Sequence, residues 1–270
     1  MKKSFIIHKP TNPLLESFVD YYFYVDISVK ELALKDEYIL PFPRITFGYF
    51  FDHPFLVTNN NINESQEIDM IISKISTNKI TVKPISDRVR VIGAHVRPYA
   101  LAALTETNIS TLPWLIDTIS LFKDKAKGFR EKINNCKNPE EMFVEVDNIF
   151  FETQLPDKDL STIINAVELI ENNRGNIEIT KVANTIGVSD RTLRNHFYKH
   201  VGCSPKEYIN LLKLKQSVNQ MKNEDESLTT ITYAQNYSDQ AHFTNSVKTI
   251  TGYSPKEIQK KITDFRFLQF

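Results

Sequence analysis

The four residues Ser-Pro-Lys-Glu occur twice, at 204–207 and at 254–257, 50 positions apart (254 − 204). Each copy starts a helix for the same reasons. The serine oxygen accepts from an unpaired backbone N–H, and proline at the first helical position forfeits no hydrogen bond. The glutamate reaches back to close a capping box. A glycine stands two residues before each copy, Gly202 and Gly252, where a left-handed residue ends a preceding helix. Helix, sharp corner, helix is therefore written twice at one spacing, which predicts a duplicated all-helical unit.

Upstream of the first corner, 181–186 reads as a short helix, with Ala183 small enough for close crossing. Gly187 supplies a turn, Ser189 caps, and a helix over 190–200 buries Leu193 and Phe197. This is the helix-turn-helix pattern. Upstream of the second corner, Leu228 and Ile231 lead and Asn236 takes the place of the turn glycine, since Asn tolerates positive φ. Ser238 is expected to cap, with Phe243, Val247 and Ile250 inward. Gly187 to Asn236 is 49 positions (236 − 187) but Leu193 to Phe243 is 50 (243 − 193), so the second turn carries one extra residue. The helix after the first corner, with Leu211, Leu214, Val218 and Met221 as its seam, would hold the units at fixed separation.

The front of the chain has a different texture. Ile45, Phe47, Tyr49 and Phe51 alternate onto one side of a strand, and Ile92, Ala94 and Val96 alternate against Val91, His95 and Arg97. Further strand-like runs fall at 55–58 and 79–82, while 12–23 admits an opening helix. These short strands with turn signals predict an antiparallel barrel or sandwich. Three helices are expected after Ala100, followed by a linker at 155–159. The expected organisation is a β-rich part with a helical connector over 1–154, a tandem helix-turn-helix domain over 157–262, and a tail over 263–270.

Charge narrows the function. The chain carries 33 Lys+Arg and 33 Asp+Glu, so it is not generally basic. Between 181 and 222, however, Lys181, Arg191, Arg194, Lys199, Lys206, Lys213, Lys215 and Lys222 face only Asp190 and Glu207. A local basic patch is the footprint of nucleic acid. On the first recognition helix Arg191, Arg194, Asn195 and Tyr198 point away from the packed face. Arg suits guanine and Asn suits adenine. On the second the outward set is Gln240, His242, Thr244 and Asn245. Ser189, Ser238, Lys199 and Lys248 are placed to hold phosphates. Two units on one rigid helix should meet successive major-groove segments ~34 Å apart.

The segments 182–209 and 237–258 resemble the tandem helix-turn-helix module of AraC/XylS-type transcription regulators, over roughly 160–261. The resemblance implies a regulator of promoter DNA that works with RNA polymerase, as a monomer or homodimer, in the cytoplasm. The segments 13–23, 39–47 and 91–104 are similar to a sensor-type domain found ahead of this module, which implies a cupin-like β-barrel and a small-molecule effector. The family usually has Arg where Asn195, Asn245 and Lys213 stand, and Phe at Val247, so the second unit is the more degenerate.

Arg44, His95 and Arg97 are the candidate ligand-binding residues of the front part, with His53 beside them as candidates for an enzyme pocket. The HxH-plus-carboxylate metal signature of cupin enzymes is absent, as are GxSxG, P-loop and HExxH patterns. No catalytic residue, metal or cofactor is expected. A cupin-like enzyme and an interaction protein that does not bind DNA are the alternatives. Cys136 and Cys203 stand in no CxxC or zinc spacing, as expected of a reducing compartment. The first residues hold too few apolar side chains for a signal peptide, and no run approaches the ~18 apolar residues of a membrane span.

Overall fold

The computed structural model describes residues 5–32, 37–75, 77–155, 158–222 and 226–261. Glu224, Asp225, the tail, and Pro156 and Asp157 of the linker lie outside the described residues. The strands are β1 (Phe5–His8), β2 (Val19–Ser28), β3 (Glu37–Ile39), β4 (Ile45–Phe50), β5 (Phe55–Asn59), β6 (Glu64–Glu67), β7 (Met70–Ser73), β8 (Ile80–Pro84), β9 (Arg88–Val96) and β10 (Leu115–Asp117). They pair antiparallel in two sheets, ordered β1-β2-β9-β4-β7-β10 and β3-β8-β5-β6.

The expected barrel is therefore corrected: the two sheets face each other without closing. Closure requires ladders between the outer strands, and among the described residues no pairing joins the two sheets. Chain segment 12–23 is a second correction. Only Pro13–Leu15 makes a single 3-10 turn, and β2 begins at Val19. Both faces of β2 are covered, which a strand of mixed aromatics satisfies and a one-stripe helix does not. Tyr22 joins the core beneath the helices, and Phe23 faces the second sheet.

The alternations read from sequence hold. Phe47, Tyr49, Ile92 and Ala94 pack toward the connector helices, with the Phe47 ring 5.4–5.9 Å from those of Phe122, Phe129 and Phe150. Gly93 is required here: a Cβ would stand 2.4 Å from Phe23 and 2.6 Å from the Phe47 carbonyl. A short α1 (Val29–Leu32) precedes the sheets' main run. The connector comprises α2 (Thr118–Phe122), α3 (Asp124–Asn135) and α4 (Pro139–Thr153), so the first of the three expected helices is cut short by β10. Met142, Val146 and Ile149 are buried in this core as packing residues of α4. Buried Asp147 accepts from Tyr22 and Thr11, fastening α4 to the first strands.

The C-terminal part runs α5 (Ser161–Asn172), α6 (Ile179–Thr185), α7 (Asp190–His200), α8 (Pro205–Met221), α9 (Leu228–Ala234), α10 (Gln240–Thr251) and α11 (Pro255–Lys261). Both corners form as read. Ser204 and Glu207 close a capping box, as do Ser254 and Glu257, and Gly202 and Gly252 sit at φ +90° and +80°. Both corners also lie against the β-rich part. A Cβ on Gly202 would approach Ile109 to 3.0 Å, and one on Gly252 would approach Lys79 to 3.2 Å. Beside the second corner, Tyr253 meets Tyr38 edge-on at 5.2 Å.

Candidate nucleic-acid interface and ligand cavity

Helix α7 starts because the Ser189 hydroxyl accepts from the Thr192 N–H at 3.1 Å. Its spacing sends Leu193 and Phe197 fully into the core. Arg191, Arg194, Asn195, Tyr198 and Lys199 are all exposed, so one polar face of the helix is open along its length. In α10, Phe243 and Val247 are buried while Gln240, His242, Asn245 and Lys248 are exposed and Thr244 is half-buried. Asn236 adopts φ +54° at the turn, beside +76° for Gly187.

The second cap corrects the sequence reading. Asp239, not Ser238, accepts from the His242 N–H, at 2.7 Å. The extra residue in this turn moves the cap one place along: it is two residues after Gly187 in the first unit and three after Asn236 in the second. Ser238 instead hydrogen-bonds the Asp239 carboxylate and His242 Nδ1, at 3.2 and 3.1 Å.

Between the two sheets lies a cavity of about 280 Å³. Phe23, Val25, Val89 and Val91 wall it from one sheet, and Phe55, Val57 and Val82 from the other. Its polar groups gather at one end, where Thr46 pairs with both His95 and Ser73 across the strands and Arg44 and Lys74 stand nearby. Phe42 also lines this end, and the Lys215 ammonium of α8 lies 5.0 Å over its ring. Burial pushes the Lys215 amine down, and it forms no ion pair among the described residues.

The candidate ligand residues separate. His95 and Arg44 reach the cavity, but Arg97 does not line it. Arg44 and Arg97 are instead engaged by carboxylates. Arg44 donates to Asp20, to Glu171 at 2.6 Å, to the Pro43 carbonyl at 2.9 Å and to the Tyr208 hydroxyl at 3.2 Å. Arg97 meets Asp20 at 2.9 Å and Glu171 at 2.8 Å. The Tyr208 hydroxyl donates to Glu171 at 2.5 Å. Burial would raise the Asp20 carboxyl, but the Arg44 and Arg97 guanidiniums outweigh it and hold it below its usual range. Asp20, Arg44 and Arg97 belong to the β-rich part, while Glu171 and Tyr208 belong to α5 and α8. The five groups form a clasp between the two parts. Glu171 was not singled out from sequence, although its place four residues after buried Val167 sets it on the edge of the packed stripe of α5.

A second contact couples the parts at α7. His200 is 6% exposed, and its ring centroid is 5.5 Å from that of His196. Lys158 pairs with Glu106 at 3.3 Å nearby. Burial first, then His196, Lys199 and Lys158, pull His200 down to about 4, against a weaker upward pull from Glu106. Between that value and about 6.5 the unfolded chain binds a proton that the folded chain does not, so stability falls as pH falls through this window. The expected result is an unfolding free energy that declines from pH ~6.5 to ~4, with a shallower slope in His200→Gln. Parallel pH profiles of the two proteins in urea titrations would refute the assignment.

The helix-turn-helix domain family matches residues 182–261. The HTH-type transcriptional activator RhaS of Escherichia fergusonii is 30% identical over 79 residues, 29% of this chain and 28% of that protein. RhaS of Pectobacterium carotovorum subsp. carotovorum is 24% identical over 119 residues, 44% and 43% of the two chains. The matches thus span less than half the length of these relatives. A structure of ToxT from Vibrio cholerae covers 96% of this chain and 98% of its own at TM-score 0.52 and 14% identity. Another, bound to (E)-4-(8-methylnaphthalen-1-yl)but-3-enoic acid, covers 96% and 99% at TM-score 0.50 and 16% identity. Residues 182–261 thus match a helix-turn-helix domain, and the whole chain has the ToxT fold.

Proposed function

We propose that this chain, built on an AraC-family DNA-binding domain, is a transcription regulator that reads two adjacent major-groove segments of promoter DNA. The observation that carries the reading is the polar face of α7, where Arg191, Arg194 and Asn195 are exposed opposite buried Leu193 and Phe197. Arg191, Arg194, Asn195 and Tyr198 read bases, with Gln240, His242, Thr244 and Asn245 as the second set. Ser189, Lys199, Ser238 and Lys248 hold phosphates. Two unlike units on one chain read an asymmetric site, whether the chain acts as a monomer or a homodimer, and RNA polymerase is the partner it then engages.

The effector is a small molecule with an apolar body and an acidic group. The cavity is apolar along its walls, and at one end Arg44 and Lys74 line it while Lys215 lies over the Phe42 ring there. A carboxylate held there would lie beside the clasp and bias how the β-rich part holds the helical part. A ligand shifts such an equilibrium only through different affinity for the two arrangements. The ToxT complex with an aryl butenoic acid shows a protein of this fold holding a molecule of this class.

Two measurements test the reading. Gel mobility shifts across a salt series should show steep salt dependence, as phosphate contacts require. Aryl and long-chain carboxylic acids should raise the thermal midpoint by a few degrees at saturation, and the matching alcohols by less. Val57→Trp, which fills the cavity, should remove the shift. Equal shifts by acids and alcohols would exclude the acidic head group, and no shift by either would exclude the cavity as the effector site.

A further inference from the structure

Helices α8 and α10 leave a cleft of about 460 Å³ between them. One wall is Lys206, Asn210 and Lys213, spaced four and three residues apart along α8. The other is His242, Asn245 and Thr249 on the outer face of α10. Among the described residues no carboxylate lines it. The nearest acids in sequence, Glu207 and Asp239, are turned to cap their own helices. Lys213 is half-buried at the inner end, donating to the Gln235 carbonyl at 3.0 Å over the Tyr237 ring. Burial pushes its amine down, and among the described residues no carboxylate pairs with it. A desolvated ammonium without a counter-ion costs free energy that a bound anion would recover.

We infer that this cleft is a phosphate-binding site for the stretch of DNA backbone that runs between the two major-groove segments, held by Lys206, Lys213, Asn210 and Thr249. The inference rests on the DNA-binding reading above. Two recognition helices on one DNA face leave a minor groove between them, and the phosphates bordering it face the protein where α8 joins the units. His242 and Asn245 belong to both the cleft and the outward face of α10. An anion seated here therefore sits at the edge of the reading surface. The site also adds positive charge to a second unit whose residues 228–246 contain no Lys or Arg and whose α10 carries only Lys248, in its last turn.

The test uses the full chain and a duplex selected by it from a random pool. Lys206→Gln should lower the salt slope by about 0.9, the value of one phosphate contact on duplex DNA. It should weaken binding by a similar factor on the selected duplex and on an unrelated one. Phosphate ethylation midway between the two protected major-groove segments should block wild-type binding and have little effect on the variant. Exposed Lys127 on α3, changed to Gln, should alter neither measurement. A Lys206→Gln slope equal to wild type, with no midway interference, overturns the cleft assignment while the DNA reading stands. A wild-type chain that binds no duplex with a salt slope overturns both.

Discussion

Arg44→Ala is expected to destabilise the chain by roughly 2–4 kcal/mol and to loosen the hold of the β-rich part on the helical part. The Arg44 side chain is 9% exposed, and its partners Asp20 and Glu171 are 20% and 15% exposed. Removing one member of a fully buried pair costs ~3–5 kcal/mol, largely because the partner is left charged without compensation. The lower figure applies here because Arg97 still faces both carboxylates. The exposed pair of Arg88 with Asp26 supplies the contrast. Arg88 is 66% exposed, so solvent screens its pair and Arg88→Ala should cost far less than Arg44→Ala. Urea unfolding of both variants compares the losses, and equal losses would refute the clasp. A cycle adding Glu171→Gln should show strong coupling to Arg44→Ala and little to Arg88→Ala. The acid dependence has a definite sign. Asp20 is held below its unfolded value, so its contribution is present above the usual carboxylate range and lost as pH falls through its depressed value.

The helical half was legible because its signals are local. Capping serines, corner glycines and a glutamate three residues on act within a single turn, so the duplicated corner could be read letter by letter. The one local error, Ser238 for Asp239, arose where the turn's extra residue allowed either side chain to cap. The front half depended on pairings between distant strands. Alternation correctly put Phe47 and Ala94 on one face, yet it cannot distinguish a closed barrel from two facing sheets, since both have the same period. In segment 12–23, Leu14, Leu15, Phe18 and Tyr22 fit a helical period. Burial on both faces, which decides for a strand, is set by helices more than a hundred residues later on one side and by the second sheet on the other. Arg44 was singled out as a ligand residue for its charge beside a strand, while its carboxylate partner Glu171 is 127 residues away. No pattern in the sequence announces that pairing.

Alanine at Arg191 or Arg194 is expected to weaken binding to the selected duplex ten- to a hundredfold, each good bidentate base contact being worth about 1–3 kcal/mol. Both side chains are exposed while Leu193 and Phe197 carry the packing of α7, so the fold should be unchanged. Gln240→Ala should cost less. The second unit has no Lys or Arg over 228–246, so its recognition helix carries no formal positive charge ahead of the last turn, where Lys248 stands. Its recognition face, with Gln240 and Asn245 exposed and Thr244 half-buried, can hydrogen-bond base edges while neutralising little phosphate charge. Losing Gln240 should accordingly alter the preferred sequence at that half of the site and leave the salt slope as in wild type. The arginine variants should lose affinity and relax the sequence requirement at the other half. Affinities of the three variants at two salt concentrations, with selection from a random pool, separate these outcomes. A larger loss for Gln240→Ala than for both arginine variants would make the second unit the principal holder of the DNA.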